Sequence, residues 1–83
     1  MRYTVTSIPA ADEELAAIWA DAADRDAVTR VAHEIDRLLC TDPLRFATAQ
    51  GDKYWLVETP LAVYFSFSPD DCMVCILHVT VVE

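Results

Sequence analysis

Few side chains in this sequence are equipped for chemistry. Three cysteines, Cys40, Cys72 and Cys75, could bind a metal or exchange electrons, and two histidines, His33 and His78, could move a proton near neutral pH. Cys72-Met-Val-Cys75 has the CxxC spacing of zinc and redox sites. The surrounding residues read as a strand, however, where positions i and i+3 point to opposite faces, so the two thiols would not share a metal. An odd, uneven set of cysteines also argues against a disulfide framework, and all three are expected as small apolar residues. His33 falls on the polar side of a helical stripe, where a solvated face is the plainer reading. Lysine and arginine total 6 against 14 acidic residues, a net charge of −8. Phosphate recognition needs a basic face, so an extended nucleic-acid surface is not expected. A local cluster of cations is still compatible, because screening cuts off distant charges over about 8 Å at physiological salt.

The elements that must position these groups are dominated by the last third of the chain. Leu61, Val63, Phe65 and Phe67 alternate with Ala62, Tyr64, Ser66 and Ser68, the period of a strand with one buried face. Ser68-Pro69-Asp70-Asp71 is turn chemistry. Cys72 to Val82 then runs apolar on both parities, which predicts a strand covered on both faces and interior to its sheet. Before it, Lys53 to Glu58 reads as another strand, and Leu44 to Asp52 as a loop turning at Gly51-Asp52. The short stretch Arg2 to Thr6 is β-branched and aromatic, a first strand. Ser7-Ile8-Pro9 starts a helix, with Asp12, Glu13 and Glu14 in its acid-favouring first turns. Leu15, Ile18, Trp19 and Ala22 form its apolar stripe, with Trp19 expected in the core. Asp24 caps a second helix carrying Val28, Val31, Ala32, Ile35, Leu38 and Leu39 on one face. Asp26–Arg30 and Arg30–Glu34 are possible i, i+4 ion pairs on the other face, and Asp42-Pro43 ends the helix by about Cys40.

The layout is therefore β-α-α-β-β-β: an α+β fold with a two-helix hairpin on one face of a four-stranded, mainly antiparallel sheet. Residues 1–83 are expected to form one domain. Hydrophobic residues make up 54% of the sequence, rich for so short a chain, which leaves apolar surface for a partner or a second copy, a homodimer. No apolar run reaches the roughly 18 residues of a membrane span and the first residues lack the apolar core of a signal peptide, so no membrane is expected and a cytoplasmic location is.

The order and spacing of three stretches resemble the RelE/ParE superfamily of toxins from type II toxin–antitoxin systems. These are Leu15-Ala16-Ala17-Ile18-Trp19 in the first helix, Ile35-Asp36-Arg37-Leu38-Leu39 followed by Asp42-Pro43, and Thr59-Pro60-Leu61-Ala62-Val63 ahead of the last hairpin. The resemblance spans nearly the whole chain. It implies a sheet in which the last strand lies between the third and the first. It also implies a cognate antitoxin as partner and no cofactor or metal. Among such toxins, RelE-like members cut messenger RNA on the ribosome, as endoribonucleases, whereas ParE-like members inhibit DNA gyrase; such modules also serve plasmid stabilisation.

On the residues of this chain, the resemblance implies a catalytic set of Lys53, His78, Arg45 and Tyr64, with His78 as acid or base. Attack of a ribose 2′-OH on its phosphate needs a base, an acid for the leaving oxygen, and cations for the developing charge. The sequence departs from the family pattern at several of those demands. Ala62 stands where an arginine is common, the last strand carries Cys72, Cys75 and His78 instead of arginines, and Val82-Glu83 replaces a basic or aromatic tail. Two further readings stay open at the level of sequence. One is a toxin-fold protein without catalysis that binds a protein partner, for which a basic partner segment would suit the acidic surface. The other is an α+β domain whose likeness is architectural only.

Overall fold

Two helices and five strands build the molecule in the computed structural model, which describes residues 2–82. The order is β1 (Thr4–Ser7), α1 (Pro9–Asp21), α2 (Arg25–Thr41), β2 (Thr48–Gln50), β3 (Lys53–Glu58), β4 (Leu61–Ser68) and β5 (Met73–Val81). The strands form one sheet in the order β1-β5-β4-β3-β2. All pairings are antiparallel except β1 with β5, which is parallel. The last strand thus lies between β4 and β1, as the sequence resemblance implies. The expected sheet of four strands gains a fifth, β2, inside the segment read as a loop. Its three residues are all exposed and carry no apolar alternation, so periodicity gives no sign of them. β2 and β3 are joined by the two-residue turn Gly51-Asp52 between the paired residues Gln50 and Lys53. Gly51 has φ +64°, the positive value that the first central position of a tight hairpin turn requires.

Both helices cover the same sheet face. Leu39, Phe65 and Val74 are fully buried there, joined by Ala11, Val28, Ile35, Leu56, Leu61, Val63 and Val79. Helix α1 has no side-chain N-cap and begins on Pro9, whose missing N–H belongs to the unbonded first turn. Its last carbonyls are capped instead by the Arg25 guanidinium, which donates to Trp19 O at 3.2 Å and Ala20 O at 2.9 Å. At the start of α2 the Asp24 side chain accepts the Ala27 amide at 3.0 Å, the N-cap read from the sequence.

Three local expectations are overturned. Trp19 is not in the core but 44% exposed: its indole donates to Thr29 Oγ1 at 3.2 Å and Arg25 stacks 4.8 Å from the ring centroid. Ala11, Leu15, Ile18 and Ala22 form the inward stripe, one position off the expected one. On α2, Arg37 pairs with Glu34, while the Arg30 guanidinium donates to the Asp26 backbone carbonyl at 3.5 Å. The third concerns β5, whose apolar residues fall on both parities for a different reason. Tyr64 pairs with His78 but Phe65 pairs with Ile76, so Leu77 is one extra residue, a β-bulge. Val74 and Ile76 face the helices before the bulge and Val79 after it. The bulge exchanges parity in mid-strand, and one buried face therefore reads as two.

Candidate functional site

The sheet face turned away from the helices carries the groups of interest. The bulge at Leu77 puts His78 on that face, directly opposite Tyr64, which is in turn opposite Trp55. The three side chains form one row across β5, β4 and β3. The Trp55 ring lies 4.9 Å from Tyr64, tilted by 41°, and 6.3 Å from the His78 ring, nearly perpendicular to it. Tyr64 and Trp55 are half-buried, and the His78 side chain is 47% exposed. The row offers an imidazole, a phenol hydroxyl and the π-face of an indole to whatever settles on the sheet.

His78 has a partner that sequence reasoning did not assign. Strand β1 ends at Ser7, opposite Ile76, and the chain leaves the sheet edge to begin α1. Beyond that point β5 has no neighbour on the β1 side. The Glu14 carboxylate of α1 fills the gap: Oε1 accepts the Val79 amide at 3.2 Å and Oε2 lies 2.5 Å from His78 Nδ1. The Glu14 side chain is 32% exposed, so the contact is shielded on the helix side. One sequence signal does point to it. Glu14 stands three residues after Ala11 and four before Ile18, which makes it an acid on the buried stripe of α1 rather than a first-turn acid facing water.

The cations expected beside His78 are elsewhere. Lys53 shares the face of Trp55, two residues along β3, which sets its backbone about 12 Å from that of His78 by strand spacing and rise. Its ammonium pairs with Asp52 at 3.0 Å, and that hydrogen bond holds the Asp52 carboxyl below its ordinary range. Arg45 sits in the loop leading to β2, at the sheet edge opposite β1, with its guanidinium 5.1 Å from the Phe46 ring centroid. Of the four residues singled out by the sequence, Tyr64 and His78 are neighbours, while Lys53 and Arg45 belong to the other half of the sheet. Among the described residues no three His, Cys, Asp or Glu side chains gather as a metal site would need. Cys40, Cys72 and Cys75 are free thiols.

Comparison with solved structures finds the same architecture in proteins of low identity. The toxin–antitoxin complex RelBE2 from Mycobacterium tuberculosis contains a chain that superposes with a TM-score of 0.79 at 16% identity, over 98% of this chain and 92% of that one. The archaeal RelE–RelB complex from Pyrococcus horikoshii gives 0.73 at 18% identity, over 98% and 96%. The chromosomal ParDE system from P. aeruginosa gives 0.72 at 16%, over 99% and 98%. This is the RelE/ParE toxin fold. No family model and no curated protein matches the sequence. The RelE/ParE likeness therefore rests on shape, and at these identities it carries the fold and not the activity. Among the described residues no helix is long and apolar enough to cross a membrane.

Proposed function

We propose that this chain is the toxin component of a type II toxin–antitoxin pair, held by a cognate antitoxin and, when released, cutting messenger RNA on the ribosome. The observation that carries the first half is the shared fold: 98% of the chain is covered by a toxin–antitoxin complex at a TM-score of 0.79. The second half is supported by the row on the open sheet face. A single-stranded base stacks on Trp55, a contact that tolerates any sequence. His78 Nε2, turned away from Glu14, takes the proton of the ribose 2′-OH as that oxygen attacks phosphorus. The bond from phosphorus to the 5′-oxygen breaks, that oxygen takes up a proton from water, and a 2′,3′-cyclic phosphate is left. Tyr64, opposite His78, is within reach to donate to the phosphate. Lys53 and Arg45 supply positive charge to the flanking backbone rather than to the reacting phosphate. No metal or organic cofactor enters this chemistry.

A second reading has its own observation. Lys53 is tied to Asp52, Arg45 stacks on Phe46, and the net charge is −8, so neither of the two expected cations stands beside His78 in this arrangement. On that reading the chain holds a protein, an antitoxin or a ParE-type target such as DNA gyrase, and does not cut RNA. Tightly controlled induction in a bacterial host separates the two. Growth arrest abolished by Lys53→Ala together with His78→Ala supports the nuclease. Arrest that persists in the double variant supports the binding mechanism, and a supercoiling assay then tests gyrase. Unimpeded growth at verified soluble expression of the chain counts against an active toxin.

A further inference from the structure

We infer that Glu14 is a positioning residue that fixes the tautomer of His78, leaving Nε2 on the open sheet face as the proton acceptor. The inference rests on the RNA-cleaving reading for its consequence, but its geometric content stands alone. A neutral imidazole carries its proton on either nitrogen, and the hydrogen bond made by one nitrogen decides the chemistry of the other. In the free side chain the Nε2–H form is favoured, which turns a donor outward and leaves no base. Here Glu14 Oε2 lies 2.5 Å from Nδ1, and a carboxylate at that distance can only accept. The proton of neutral His78 is therefore held at Nδ1, and the lone pair of Nε2 faces the sheet surface beside Tyr64 and Trp55.

The carboxylate is itself held in place. Its other oxygen accepts the Val79 amide at 3.2 Å, a donor left unpaired because β1 stops at Ser7. The two donors, Nδ1–H and Val79 N–H, belong to consecutive residues of β5 and converge on one side chain that is 65 positions from Val79 in sequence. A carboxylate has two acceptor oxygens and serves both. The nearly isosteric amide of glutamine has one acceptor and one NH2, and cannot. If its oxygen stays on Val79, its NH2 meets Nδ1 and requires a lone pair there, which moves the imidazole proton to Nε2. Glu14→Gln keeps the shape of the site and inverts the tautomer, the logic by which a carboxylate-to-amide change disables a histidine base elsewhere.

The experiment is proton–nitrogen correlation NMR on the 15N-labelled free protein, recorded at a pH where His78 is neutral. The wild-type chain should show His78 protonated at Nδ1, and Glu14→Gln should show it at Nε2, with far-UV circular dichroism unchanged. An Nε2–H tautomer in the wild type overturns the inference, and so does the same tautomer in both proteins. The wild-type spectrum needs no variant, so the result stands even where Glu14→Gln folds poorly. In parallel, cleavage of messenger RNA on ribosomes should fall by about 10²- to 10⁴-fold in Glu14→Gln. If the wild type shows Nδ1–H but cuts no message, the functional reading fails while the tautomer assignment survives. If the wild type cuts and Glu14→Gln cuts equally well, the positioning role is overturned.

Discussion

Glu14 shows how much the role of one residue depends on what a neighbouring strand leaves undone. Counted as one of three acids near a helix start, it is unremarked; placed beside the unpaired edge of β5, it becomes the partner of Val79 and His78. The sequence marks it only as an acid among inward positions, and it does not say which strand it will meet. Trp19 makes the opposite point. Its helical spacing matches the core stripe, but Thr29 and the Arg25 guanidinium hold the indole at the surface, and neither contact has a periodic signature. The deepest side chains were legible as such. Leu39 is fully buried, so Leu39→Ala should cost about 2–5 kcal/mol in urea denaturation. A chain of this length has a total stability of only about 4–12 kcal/mol, so a large share of the margin is at stake.

Two surface carboxyls give a pH dependence whose sign is fixed. Hydrogen bonding and attraction from Arg37 hold the Glu34 carboxyl below its ordinary range, and Lys53 does the same for Asp52. A carboxyl whose folded pKa is depressed stabilises the fold fully above its unfolded pKa and loses that contribution as pH falls through the folded value. The loss should therefore begin below about pH 4.5 and continue to lower pH. Both groups are exposed, so the effect is small. Carboxyl-detected NMR titration should show the Glu34 midpoint rising in Arg37→Ala; an unchanged midpoint would contradict the pairing.

At the scale of elements, strand β4 was readable because its alternation is unbroken, and β5 was misread because its alternation is not. Leu77 shifts the parity, so the apolar residues on the two sides of the bulge face the same helices. The bulge also places His78 on the open face. Deleting Leu77 removes the extra residue and leaves Ile76, His78 and Val79 alternating in, out and in, opposite Phe65, Tyr64 and Val63 as before. The variant should therefore keep a single sigmoidal urea transition with His78 still on the open face; loss of that transition would contradict the bulge. The β2–β3 turn makes a prediction of its own. No atom would lie within 4 Å of a Cβ at Gly51, so Gly51→Ala meets no clash and pays only for its positive φ. The cost should be about 1 kcal/mol by thermal melting, with the fold retained. β2 escaped sequence reading because three exposed residues cannot display a period.

For the whole molecule, the fold was legible in outline because the order of elements and the burial of one sheet face follow from periodicity. The proposed activity was less legible, because it depends on which side chains the sheet brings into one row. The sequence offered Lys53, Arg45, Tyr64 and His78 as one set; the strand order puts Tyr64 and His78 together and leaves Lys53 on β3 and Arg45 in the loop before β2. The net charge of −8 bears on the same scale. On the proposed function, so acidic a chain should associate with RNA more weakly than a basic one would, and a protein partner should carry compensating lysine and arginine. Binding to that partner should weaken as salt is raised from 50 to 500 mM, measured by titration calorimetry (~8 Å screening at physiological strength sets the range).

The central claim is that the open sheet face cuts RNA with His78 as its base. The measurement that tests it most directly is incubation of the purified chain, at micromolar concentration, with ribosomes programmed with a defined messenger RNA. The 5′ ends of the products are then mapped by primer extension, with His78→Ala run beside the wild type. The account predicts new ends with the wild type, a 2′,3′-cyclic phosphate on the upstream fragment, and an intact message with His78→Ala. An intact message in both reactions, or equal cleavage in both, would contradict it.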